Sequence, residues 1–193
     1  KNEERFMKYT DLMLDIETAG RNPGCAIIQI AAVPFNINTG AVSKETFSMA
    51  INLDSQFEKG FNYCPNTLKW WKKENLNLFK QLSNSTNHYV EAGKAFQQYF
   101  NGLENHKEIR VWGNSNRFDL GILNGWYRKA IGYSFQPFWN TWKERDVRTL
   151  CSLKPSIKAN LVFKGVKHNA IDDCKHQISY CRKTVKYLKL KVT

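Results

Sequence analysis

No stretch of this chain could cross a bilayer as a helix. The longest run without a charged residue, Asn22 to Ser43, is broken by Pro23, Gly24, Pro34 and Gly40 and carries Gln29, Asn36 and Asn38. No leader-like apolar segment is visible either, which leads to the expectation of a cytoplasmic protein with no membrane partner. Cysteine pairing is also missing: the five Cys, at 25, 64, 151, 174 and 181, are odd in number and form no CxxC. Mostly set among apolar neighbours, they read as reduced thiols, not as a disulfide framework or a zinc site. Repeats, low-complexity tracts and linkers are absent too, so the 193 residues are read as one domain with its core at about 11–190. Scarcest of all is negative charge, with 17 Asp plus Glu against 29 Lys plus Arg, a net +12.

What is present is a composition that buries a core. Hydrophobic residues make up 42% and aromatics 13%, with six Trp, which excludes a disordered basic tail. The positive charge is uneven: residues 143–193 hold 13 basic against 4 acidic side chains, while the preceding 142 hold 16 against 13. Such a surplus suits a polyanion, nucleic acid first, although a solvated surface would look the same by charge alone.

Patterning predicts an α/β layer fold. Asp11 to Glu17 and Ala26 to Phe35 are apolar runs suited to strands, and Val42 to Ile51 alternates as a third after the turn residues 36–40. Sequential strands with short connections are most simply an antiparallel meander. Helical spacing follows at Leu68 to Glu74, Tyr89 to Leu103 and Phe118 to Ala130, with a short strand at Arg110 to Gly113. Ala170 to Leu190 carries Ile171, Cys174, Ile178, Cys181, Val185 and Leu188 as one stripe, with Lys183, Lys186 and Lys189 away from it.

Four acids stand out by position. Asp15 and Glu17 lie in the first strand one residue apart, so period-two geometry puts them on one face, about 7 Å apart at Cα. Two like charges there are costly unless a cation neutralises them, and Mg²⁺ or Mn²⁺ is the natural partner for carboxylate oxygen. Asp119 opens a helix after the polar turn that contains Asn114, and Asp173 lies in the first turns of the last helix, preceded by His168. Each has a plain alternative reading: a strand end in solvent, or acids that complement a helix dipole.

Taken in order, Asp15-x-Glu17, Asn114-x-x-x-Phe118-Asp119 and His168-x-x-x-x-Asp173 resemble the three-part pattern of the DEDD exonuclease superfamily, in the His-containing DEDDh branch. No Tyr precedes Asp173 at the spacing of the tyrosine branch. Residues 12–20, Trp70-Trp71, residues 111–114, 145–149 and 165–170 look like the phage and bacterial subgroup typified by phage exonuclease A, across about Asp11 to Leu188.

The resemblance implies a ribonuclease H-like fold, in which a mixed central sheet of antiparallel meander plus parallel strands is flanked by helices. It implies a 3′-to-5′ exonuclease that releases nucleoside 5′-monophosphates from single-stranded DNA or RNA with a free 3′ end, DNA being favoured slightly. Two divalent cations, Mg²⁺ or Mn²⁺, would be held with Asp15 bridging, Glu17 and Asp173 completing one site and Asp119 the other. His168 would take the proton from water. Thr18, Ala19 and Gly20 would let the backbone approach the terminal nucleotide, with Asn114 and Phe118 beside it. One of Trp70 and Trp71 would stack on a base, and Arg148, Lys164 and Lys167 are candidates for phosphates. Asp146 would play a supporting part and Asp172 would serve the helix terminus. Ring or dimer assembly and a bacterial or phage origin fit the same family. The competing reading is an idle binding or inhibitory protein on the same scaffold.

Overall fold

A computed structural model describes residues 8–132 and 136–193. Its sheet has five strands in the order β3-β2-β1-β4-β5, where β1 is Asp11–Thr18, β2 Ile27–Phe35, β3 Phe47–Ala50, β4 Arg110–Gly113 and β5 Glu144–Asp146. The first three strands form the expected antiparallel meander, and β4 and β5 run parallel to β1. The helices are α1 Leu53–Glu58, α2 Pro65–Glu74, α3 Leu76–Ser83, α4 Tyr89–Asn101, α5 Asp119–Ile131, α6 Val147–Ser152, α7 Pro155–Ala159 and α8 Ala170–Tyr187.

The third strand is shorter than its alternation suggested. Only residues 47–50 pair with β2, from Ala32 opposite Phe47 to Gln29 opposite Ala50, while Val42 makes a lone bridge to Phe35. Between them Ser43 Oγ accepts the Glu45 amide, a local turn that competes with the ladder. Strand β5 and the short helices α1, α3, α6 and α7 carried too few residues to show a period.

Strand β1 is buried on both faces, as a central strand must be. Leu12, Leu14 and Ile16 face the core built with α4 and α5, while Met13 packs in the second core with Cys174, Ile178 and Cys181 of α8. Asp11, Asp15 and Glu17 share the parity of Met13, so a row of three carboxylates points toward the α8 side of the sheet. Asp11 is fully buried and paired within the protein: Arg110 donates to it at 2.7 and 2.8 Å and Trp112 Nε1 at 2.8 Å. Asp15 and Glu17 lie at the other end of the row, without such an arginine. All five cysteines are free thiols, four of them buried. Among the described residues no helix is long and apolar enough to cross a membrane.

Candidate active site

The carboxyl end of β1 opens into a cleft of about 540 Å³. Asp15 and Glu17 enter it from β1, Asp119 from the first residue of α5, and His168 and Asp173 from the start of α8. Glu17, His168 and Asp173 each present one ligand atom, all within 4.8 Å of one another. Asp15 and Asp119 lie deeper and are buried, and Asp119 Oδ2 has no hydrogen-bond partner in the protein. Gly113 makes room for it, because a Cβ there would stand 3.1 Å from Asp119 Cβ.

Local chemistry fixes each of these side chains. Residues His168 and Asn169 lead into α8, whose N-terminus is capped by Asn169 and by Gln29 Oε1 of β2, which accepts the Ala170 amide at 3.1 Å. The His168 backbone adopts φ 66°, and its amide donates to Asp173 Oδ2 at 2.9 Å. This bond ties the imidazole's position to the acid one turn into the helix. Gln177, one turn beyond Asp173, donates from Nε2 to Asp15 Oδ1 at 2.6 Å. Asp146 accepts the Asn116 amide at 2.8 Å with one oxygen and caps α6 through Thr149 with the other, locking the 113–118 turn to α6. Asp172 turns away: it accepts the Val166 amide and pairs with Lys175, as expected of a helix-terminal acid.

The electrostatics are those of acids crowded without a counter-ion. Burial, then the charges of Asp119 and Asp173, hold the Asp15 carboxyl well above the usual carboxylate range. Glu17 is pushed up the same way by lost solvent and by Asp15, Asp173 and Asp119. Burial raises Asp119 to about 7, against hydrogen bonds from the Asn114 and Ile16 amides and the nearby Arg148 charge. Asp173 also rises through burial, opposed by the His168 amide. Among the described residues none of the four is in an ion pair. Oxygen donors in this number, one of them orphaned, fit a hard divalent cation.

The sign of the pH effect follows. A carboxyl whose folded pKa is raised contributes stability below its unfolded pKa and loses it as pH climbs through the folded value, here about 7 for Asp119. In EDTA, Asp119→Asn should therefore unfold near the wild-type temperature at pH 4 and several degrees above it at pH 8, with the gap opening in between. Thermal melts of both proteins check this; a gap that closes toward pH 8 would contradict it.

The cleft also gathers Thr18, Gly20, Trp70, Trp71, Asn114, Phe118 and Arg148, all anticipated from the sequence. The two tryptophans part as their 100° offset requires. Trp71 is buried and donates Nε1 to the Thr18 carbonyl at 3.1 Å, whereas Trp70 is 39% exposed and meets the His168 ring edge-on at 4.7 Å. Ala19 and Lys167 lie outside the lining: Ala19 is fully buried in the core beside β1, and Lys167 is exposed, with its carbonyl accepting from Asn75. Gln177, Arg21, Asn66 and Thr67 line the cleft without having been singled out. Gln177 carried a signal in retrospect, since it follows Asp173 by one helical turn on the same face.

Known proteins resemble the chain in sequence and in fold. The chain is 25% identical to the exodeoxyribonuclease of Enterobacteria phage T4, covering 92% of this chain and 89% of that protein. It is 28% identical to ribonuclease T of Shewanella frigidimarina (strain NCIMB 400), covering 89% and 75%. The nuclease domain of 3′hExo, a DEDDh family member solved with rAMP, superimposes at a TM-score of 0.64 with 14% identity over 98% of each chain, so the fold is ribonuclease H-like. Residues 10–185 match the Rv2179c-like 3′-5′ exoribonuclease domain. The chain therefore belongs to that family, and it is a 3′-to-5′ exonuclease hydrolase.

Proposed function

We propose that the protein removes nucleoside 5′-monophosphates one at a time from the 3′ end of single-stranded nucleic acid, using divalent cations held by Asp15, Glu17, Asp119 and Asp173. The observation that carries this reading is the cluster of Glu17, His168 and Asp173 within 4.8 Å, beside two buried acids that lack any cationic partner. When bound, Mg²⁺ or Mn²⁺ supplies the charge that activates water and stabilises the leaving oxygen.

The chain's own residues do the rest. His168 accepts a proton at a ring nitrogen, its backbone held in place by the hydrogen bond that its amide donates to Asp173. Gln177 fixes Asp15 by donating to one of its oxygens. Trp70 offers an exposed ring for the terminal base, a contact worth about 1–3 kcal/mol. Arg148, at the rim on the Asp119 side, suits a phosphate. Relatives include an exodeoxyribonuclease and a ribonuclease, and the family is named for RNA, so the reading covers both sugars.

Single strands of DNA and RNA, labelled at either end and incubated with Mg²⁺ or Mn²⁺, test it. The 5′-labelled strand should shorten stepwise, the 3′-labelled strand should give labelled mononucleotide at once, and a circular strand should survive. A strand that is retarded on a gel but never shortened would favour the idle binder, and a cut circle would favour an endonuclease.

A further inference from the structure

The basic surplus of the last quarter of the chain is only partly used by the cleft, through Arg148. A second cavity of about 460 Å³ is lined by Arg148, Cys151, Ser152, Pro155, Lys158 and Ala159. Arg148 lines both cavities. We propose that this second cavity seats the sugar-phosphate backbone of the nucleotides on the 5′ side of the scissile bond, with Lys158 as the cation that meets an upstream phosphate. The inference rests on the exonuclease reading above and extends it to the body of the strand.

Several observations converge on this assignment. The two cavities share Arg148 as a lining residue, so a strand whose 3′ terminus occupies the cleft has this as a neighbouring recess. Its charge is of one sign, because Arg148 and Lys158 line it and no acid does. The nearest acid in sequence, Asp146, has its oxygens taken up by Asn116 and Thr149. Lys158 is also held in place: its ammonium sits 5.2 Å from the centre of the Tyr180 ring, and Tyr180 is itself buried on α8.

The lining says which part of the strand fits. Pro155 and Ala159 give the lining apolar surface for sugars, and no aromatic residue lines the cavity for a base to stack on. Contacts would therefore run to phosphate and sugar and would carry no sequence preference. Asp146 ties α6, which carries Arg148, to the turn before Asp119, so the second cavity keeps a fixed offset from the acids.

Strand length is the discriminating variable. A dinucleotide occupies the cleft alone, whereas a hexanucleotide reaches the second cavity. In Lys158→Glu, the ratio of kcat/KM for hexanucleotide over dinucleotide should fall about tenfold. Lys94→Glu, the same charge change on the exposed face of α4, should leave that ratio as it was. For the milder Lys158→Gln, binding of a fluorescent hexanucleotide in EDTA should show a salt slope reduced by about 0.7. An unchanged ratio in Lys158→Glu, or an equal drop in Lys94→Glu, would overturn the assignment while leaving the exonuclease reading intact. A wild-type protein that cuts neither length with either metal would overturn the exonuclease reading and this one with it.

Discussion

Asp15→Asn should lower turnover by about a thousandfold or more and, in EDTA, raise the thermal midpoint by about 2–4 °C. The two effects have one origin. Asp15 is buried beside three other acids, and its charged form is disfavoured by lost solvent and by Asp119 and Asp173. Asparagine removes the charge, and its side-chain oxygen can still accept the Gln177 amide that now reaches Asp15 at 2.6 Å. The fold is thus kept and relieved of repulsion, at the cost of a cation ligand. Steady-state kinetics beside melting curves with and without Mn²⁺ check this, since manganese should stabilise wild type more than the variant. Near-normal turnover, or a variant that melts lower in EDTA, would remove Asp15 from the proposed site.

His168→Asn should lower turnover by about 10²–10⁴-fold with a far smaller loss of Mn²⁺ affinity. Asparagine is the suitable replacement because His168 has φ 66°, a left-handed conformation that Asn tolerates better than Ala, and the backbone bond to Asp173 is then preserved. The ring nitrogen of His168 also lies within 4.8 Å of donor atoms on Glu17 and Asp173, so a ligand's role is the specific alternative. Calorimetric titration with Mn²⁺ separates the two. Parallel losses of affinity and turnover would make His168 a ligand and leave the base to be found elsewhere.

How much of this was legible in the sequence depends on the reach of the signal. The runs in β1 and β2 and the stripe on α8 are long enough for apolar periodicity to declare them. The three residues of β5 and the five of α7 are not, since their conformation is imposed by parallel pairing with β4 and by packing against α8. The acids were visible because charge inside an apolar strand or at a helix start is anomalous. Gln177 and Gln29 were not: a neutral amide on a helix or strand is unremarkable until Asp15 or the start of α8 is found within hydrogen-bond reach. The offset of adjacent helical residues did separate Trp70 from Trp71, because that rule needs only local geometry. Alternation failed over residues 43–46, where a serine side chain offered the backbone a turn instead of a ladder.

The bond between Gln177 and Asp15 joins residues 162 positions apart, across nearly the whole chain. Asp173 and His168 reach the acids of β1 over a similar span. The pocket therefore depends on long-range closure: the five-stranded sheet supplies Asp15 and Glu17, but the cleft is complete only when α8 docks on β1 and β2. A ribosome-bound chain that ends before α8 carries Asp15, Glu17 and Asp119 without His168 or Asp173. On the proposed reading such a chain lacks one of its four acids and its general base, and it should be inert.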